Sequence, residues 1–173
     1  MRLLFLVLAI TACVGCRQQT AVTSKQPQSV SPPGAIGSRL PEFAVKDLGG
    51  HEISLSDLRG KVVLIDFWAT WCAPCKKEMP GYQQLLDRYR DRGLAVLGFK
   101  SSMMADTEDP IRFARSIGVT YPLVVATADL VMKFGGIEGL PTTLIYDRNG
   151  ILRSKIIGFE YTATVESDLQ PLL

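Results

Sequence analysis

The sequence predicts an α/β domain: a central mixed β-sheet flanked by helices, with an added β-hairpin at its N-terminal side. Three observations carry this. Residues 62–67, Val-Val-Leu-Ile-Asp-Phe, are apolar on both faces of a strand apart from one acid, as expected for a central strand covered on both sides. A helical apolar pattern follows directly, with Met79, Tyr82, Leu85, Leu86 and Tyr89 at three- and four-residue spacing. Further on, two apolar runs meet at Asp147-Arg148-Asn149-Gly150, where Asn-Gly is a strong hairpin signal.

The remaining elements follow in order. Phe43-Ala44-Val45 and Glu52-Ile53-Ser54-Leu55 flank Gly49-Gly50 and read as the short added hairpin. Leu58-Arg59-Gly60-Lys61 is a turn into the central strand. The helix after Pro74 contains Pro80, which should kink it, and ends at Gly93 before a second buried strand over residues 94–99. Asp109-Pro110 opens another helix that stops at Gly118. Residues 121–125 read as extended, 128–134 as a short helix, 142–147 and 151–157 as the hairpin strands, and 162–169 as a terminal helix. Parallel βαβ pairing with a late hairpin makes the sheet mixed.

The chain has 173 residues, of which 47% are hydrophobic and 21% charged. That is an ordinary globular composition and enough chain for one domain with a sizeable core. The formal charge is +2, with no basic block or aromatic–basic interleaving, which argues against nucleic acid as a partner.

The N-terminus reads as an address. Met1-Arg2 precedes an apolar run that continues to Gly15 and ends at Cys16-Arg17, too short for a comfortable transmembrane helix but suited to a signal peptide. Small residues running into a cysteine resemble the bacterial lipoprotein lipobox, in which that cysteine is lipidated. Cys13 fits the residue preferences better; Cys16 gives the more normal leader length and is favoured. A plain secretory signal and an uncleaved anchor are the alternatives. Every version places the domain outside the cytoplasm, at the outer face of the inner membrane. The expected organisation is a leader over residues 1–16, a flexible Gln/Ser/Thr/Pro/Gly tether over 17–38, and the domain over 39–173.

The chemistry centres on Trp71-Cys72-Ala73-Pro74-Cys75, where the buried strand runs into a Cys-x-x-Cys and then a helix. Unpaired N–H groups and the positive end of the helix dipole favour a thiolate at the helix start, which makes Cys72 the nucleophile. Cys75, one turn further in, can attack the mixed disulfide that Cys72 forms. Structural zinc would need four ligands, and a second pair is missing; the single histidine, His51, sits beside a turn and is expected to be solvent-exposed. No metal and no cofactor beyond the redox-active Cys72–Cys75 pair is expected. Asp66 lies six residues before Cys72 in the buried strand. A carboxylate there is costly unless paired or protonated, so its pKa should be raised, and it could exchange a proton with Cys75. An edge-facing carboxylate satisfied by a surface lysine is the plainer alternative. Glu78 is a weaker candidate for the same task and is expected near the surface. Pro141 in Gly139-Leu140-Pro141-Thr142 marks a special entry into a strand.

Together these residues resemble the thioredoxin superfamily from about Pro41 to the C-terminus, with residues 63–76 similar position by position to its active-site segment. The resemblance implies a thioredoxin fold and puts Asp66 in the place of the buried acid. It puts Trp68 and Trp71 in those of the two active-site tryptophans, and Pro80 in that of the helix-kinking proline. Pro141 takes the place of a cis-proline facing the redox pair, and a substrate groove is implied around Trp71, Ala73, Pro74, Leu140 and Gly158. The leader, the added hairpin and the insertion from about Ser101 to Leu123 look like the membrane-tethered TlpA/ResA type. Members of that type reduce disulfides in exported proteins, including apocytochromes c, and are recharged by a membrane dithiol reductase. A monomer with protein disulfides as substrates is thus implied. Where many such relatives carry Asn, this chain has Asp66, and where some carry a Glu inside the motif it has Ala73. Two other readings stand beside disulfide reduction. One is a peroxiredoxin-like peroxidase, for which Thr70 is one residue off the Thr-x-x-Cys spacing. The other is a non-enzymatic thiol or metal-binding module.

Overall fold

The structure is a computed structural model and describes residues 31–102 and 108–173. Residues 1–30, with Cys13, Cys16, the leader and most of the tether, lie outside the described residues.

An antiparallel hairpin, β1 (Ala44–Lys46) and β2 (Glu52–Ser54), comes first. A single helical turn, α1 (Leu55–Leu58), follows it. Its start is a capping box, in which the Asp57 carboxylate accepts from the Ser54 amide at 2.8 Å. Strand β3 (Val62–Trp68) then crosses the molecule and is buried at all seven positions. Helix α2 (Ala73–Tyr89) runs for 17 residues and continues through Pro80. A 3₁₀ turn and Gly93, at φ +82°, lead into β4 (Leu94–Ser101). Helix α3 (Pro110–Ser116) starts where the Asp109 side chain accepts from the amides of Ile111 and Arg112 at 2.8 and 3.2 Å. Strand β5 (Leu123–Ala126), helix α4 (Ala128–Lys133), strands β6 (Thr142–Tyr146) and β7 (Leu152–Ile157) and helix α5 (Thr162–Leu169) complete the chain.

The main sheet has the order β5-β4-β3-β6-β7. β3 lies at its centre, parallel to β4 and antiparallel to β6. Because side chains alternate along a strand, β3 feeds two cores. Val62, Leu64 and Trp68 face α2, α3 and α5; Val63, Ile65 and Phe67 face the aromatic cluster of Phe43, Phe99 and Phe134. Asp66 belongs by alternation to the α2 side. Among the described residues no helix is long and apolar enough to cross a membrane.

Residues 32–38, which composition assigns to the tether, are docked on the domain. The amides of Gly37 and Leu40 donate to the carbonyls of Leu152 and Gly150 at 2.9 and 2.7 Å, the Leu152 amide donates to Ser38 at 2.9 Å, and Ser38 is buried. This segment covers the start of β7, while the hairpin leans on the opposite edge through a bridge between Asp47 and Val124. Part of each edge of the sheet is thereby shielded.

Phe134 packs edge-on or tilted against Phe43, Phe67, Phe99 and Tyr146, with ring centroids 5.4 to 6.5 Å apart. Phe134→Ala is expected to cost about 3–5 kcal/mol of unfolding free energy, since it removes a fully buried ring from a dense cluster. Urea unfolding checks this, and a cost below about 1 kcal/mol would show that the cluster collapses freely around the gap.

Candidate active site

Strand β3 ends at Trp68, and four residues later Cys72 caps α2. The Cys72 amide donates to the Ala69 carbonyl at 3.1 Å, which closes the turn between strand and helix. Pro74 stands in the first turn of α2, where its missing N–H would have had no helical partner. Cys72 and Cys75 form a disulfide with an S–S distance of 2.07 Å. The Cys75 amide donates to the Cys72 sulfur at 3.3 Å, so the first sulfur receives a helix-terminal N–H, the geometry that stabilises a thiolate. The second sulfur lies inside the helix and is wholly buried. Trp71, 48% exposed, flanks the pair on the solvent side.

The loop before β6 completes this end of the molecule. The Leu140–Pro141 peptide bond is cis. Thr142 pairs with Phe67, which brings Pro141 level with the end of β3 from which the cysteine loop departs. The Gly158 amide donates to the Pro141 carbonyl at 2.8 Å, and the Thr142 hydroxyl donates to the Gly139 carbonyl at 2.7 Å. Ala73 is exposed, and Pro74, Leu140 and Gly158 are half-buried. The residues expected to line a groove therefore border the disulfide or the proline loop beside it.

Asp66 is fully buried, on a central strand rather than an edge, and among the described residues makes no ion pair with a lysine. Glu78, expected near the surface, is buried as well. The reason is helical geometry: Cys75, Glu78, Tyr82, Leu85 and Tyr89 form one stripe at three- and four-residue spacing, and that stripe faces the sheet. This spacing is present in the sequence and was the signal to follow; the neighbouring Lys76 and Lys77 lie on the exposed face and obscure it.

Neither oxygen of Asp66 or Glu78 has a hydrogen-bond partner among the described residues. Burial pushes the Asp66 carboxyl well above the ordinary carboxylate range, with the Glu78 side chain partly opposing the rise. Burial also raises Glu78, and the charge of Asp66 raises it further; the Glu160 backbone and the Tyr82 hydroxyl oppose this in part. Two carboxyl groups in one dry chamber hold a proton between them, and their titration belongs to the pair. Two tyrosines share the chamber. The Tyr82 hydroxyl is 2.9 Å from Thr143 Oγ1. Burial, and then the charge of Asp66, raises the pKa of both Tyr82 and Tyr121. His51 is exposed, with Nδ1 3.2 Å from Asp47 Oδ2, and among the described residues no cluster of three or more His, Cys, Asp or Glu side chains could hold a metal ion.

A mixed sheet that delivers Cys-Ala-Pro-Cys to a helix start beside a cis-proline loop is a thioredoxin-like fold, and the cysteine pair makes the chain a thiol–disulfide oxidoreductase. It belongs to the AhpC/TSA family, whose model matches residues 36–155. The thiol-disulfide oxidoreductase ResA of Geobacillus kaustophilus is 36% identical over 138 residues, covering 80% of this chain and 78% of the relative. The thioredoxin-like protein YneN of Bacillus subtilis is 35% identical over 123 residues, 70% of this chain and 71% of that protein. Among solved structures, a thiol:disulfide interchange protein of the thioredoxin family from Chlorobium tepidum superposes with a TM-score of 0.72 at 27% identity, covering 80% of this chain and 97% of that one.

The raised carboxyl pKa has a consequence for stability. In the unfolded chain Asp66 titrates near ~3.9. Between that value and its higher folded value the folded state binds more protons than the unfolded one, so stability falls as pH rises through the window. Asp66→Asn removes the penalty. Unfolding of this variant should match the wild type near pH 3, where both forms are protonated, and exceed it by about 1 kcal/mol or more at pH 8. Equal stability at pH 8 would mean that Asp66 is not the strained acid described.

Proposed function

We propose that this chain reduces disulfide bonds in exported proteins, with Cys72 as nucleophile, Cys75 as resolving thiol and Asp66 as the base that activates Cys75. The observation that carries this reading is the burial of two carboxyl groups without hydrogen-bond partners among the described residues, Glu78 one helical turn beyond Cys75 and Asp66 on the strand beneath α2, next to a disulfide whose other sulfur caps the helix. In the reduced protein the Cys72 thiolate attacks one sulfur of a client disulfide, and the client's other sulfur leaves as a thiolate and takes up a proton. Ionised Asp66 then takes the proton of Cys75. The Cys75 thiolate attacks the Cys72 sulfur, which breaks the mixed disulfide, releases the second client sulfur and forms Cys72–Cys75. Two electrons and two protons pass to the client in each cycle, and a membrane dithiol reductase returns them. Trp71, Ala73, Pro74, Leu140, Pro141 and Gly158 receive the client chain, with Pro141 against the reacting sulfur.

The leader pattern supports a place at the outer face of the bacterial inner membrane, held by a lipid on Cys16 or Cys13. The relatives named ResA support work on exported thiol proteins, apocytochromes c among them. Buried Thr70 and the intervening Trp71 do not provide the Thr-x-x-Cys arrangement of a peroxidase.

Insulin reduction with dithiothreitol as donor tests the assignment. Cys72→Ser should abolish activity, and Cys75→Ser should accumulate a mixed disulfide with insulin. Asp66→Asn should slow resolution of that species at pH 7 by about a hundredfold, the lower range for a general base. Activity that survives Cys72→Ser, or loss of the Cys72 thiol to hydrogen peroxide faster than to a protein disulfide, would overturn the reading.

A further inference from the structure

Strand β4 leaves a gap beside Asp66. Gly98 is the direct partner of Asp66 across the parallel pair, so a side chain at residue 98 would project into the same chamber. A Cβ there would meet Leu123 Cδ2 at 2.7 Å and both Trp68 Nε1 and Tyr121 Cε2 at 3.0 Å. Leu123 and the rings of Trp68 and Tyr121 together occupy the space that any other residue at 98 would fill. Its backbone is fixed from α2: the Gln83 side-chain carbonyl accepts from the amides of Thr120 and Tyr121 at 2.9 and 3.2 Å. Tyr121 is 3% exposed, and its hydroxyl has no hydrogen-bond partner among the described residues. A tyrosine hydroxyl is a strong donor, and leaving one buried and unused costs about 1–3 kcal/mol. The acceptors without partners in this chamber are the carboxyl oxygens of Asp66 and Glu78.

We propose that the Tyr121 hydroxyl is the donor that stabilises the Asp66 carboxylate, which makes Tyr121 a positioning residue of the proton relay. The inference rests on the reading of Asp66 as the base for Cys75. As Asp66 ionises, the Tyr121 O–H turns to the carboxylate and keeps a usable fraction of base at neutral pH. Other groups facing Asp66 supply less of this. On α2 the Glu78 side chain offsets part of the rise in Asp66 while it keeps its own proton, but it adds a like charge once ionised; Cys75 is the acid that Asp66 must deprotonate, and Tyr82 is engaged with Thr143 of β6. Gly98 of β4 has no side chain, and β3 adds Trp68, whose Nε1 is also buried without a partner among the described residues but whose indole N–H, far less acidic than a phenol O–H, is the weaker donor to a carboxylate. The association of Gly98 with Tyr121 is therefore a paired choice: the glycine admits the ring, and the ring brings the hydroxyl.

Tyr121→Phe keeps the ring and deletes the donor. The carboxyl signals of Asp66 and Glu78 in the reduced protein, followed by NMR across pH, should show the Asp66 midpoint rising by about one unit, the scale of one hydrogen bond to a charged group. Mixed-disulfide resolution should fall roughly tenfold below that midpoint and converge with the wild type above it. In an Asp66→Asn background Tyr121→Phe should leave the pH profile unchanged. An Asp66 midpoint that does not move in Tyr121→Phe overturns the proposal, as does an equal effect of Tyr121→Phe with and without Asp66. If Asp66→Asn alone resolves at the wild-type rate, it is the relay that fails, and the NMR midpoint still decides whether Tyr121 stabilises the carboxylate.

Discussion

Strand β3 is buried along its whole length, and a carboxyl group placed on it has no water to turn to. The rest of the site depends on that constraint. Coverage by α2, α3 and α5 on one side and by the phenylalanine cluster on the other gives β3 the rigidity to hold Cys72 at the start of α2. The same coverage makes Asp66 an expensive residue. A neutral isostere would fold more easily, so the carboxyl is retained at a cost in stability, a pattern typical of functional sites.

The two sulfurs are chemically unequal because one helical turn separates their surroundings. Cys72 has the helix-terminal N–H and a neighbour at the surface in Trp71. Cys75 has a buried acid on its own helical stripe, since Glu78 follows it by three residues, and Glu78 in turn faces Asp66 on β3. On the proposed function, Cys72 is the thiolate at rest and Cys75 becomes one only when a proton can be passed inward. That order of events is what disulfide exchange through a mixed disulfide needs: attack by the first sulfur, then release by the second. The cis-proline loop contributes from the side, because the antiparallel register of β6 on β3 brings Pro141 to the end of the strand from which the cysteine loop departs.

Much of this was legible in the sequence because its signals are local. The apolar run at residues 62–67, broken only by Asp66, the Cys-x-x-Cys before a helical pattern, Asp109-Pro110 and Asn149-Gly150 each determine an element through short-range physics, and the strands and helices lie within a residue or two of where those signals put them. What was missed needed knowledge of which faces meet. Glu78 lies among lysines in sequence but on the packed stripe of α2 in space. Tyr121 belongs to no periodic pattern, and its place depends on a glycine 23 positions earlier, in β4. The docking of residues 32–38 could not be read from a Pro/Gly-rich composition that suits a tether equally well. The one-turn helix α1 rests on a Ser54–Asp57 capping box too brief to stand out from a loop.

The central claim is the inequality of the two thiols, and differential alkylation of the fully reduced domain tests it most directly. Iodoacetamide modification of Cys72 and Cys75 would be followed by peptide mass spectrometry across pH 5 to 10. Cys72 should react first and at a pH below the ordinary cysteine range of ~8.5, with Cys75 protected until much higher pH. Equal rates for the two residues, or prior modification of Cys75, would contradict the account.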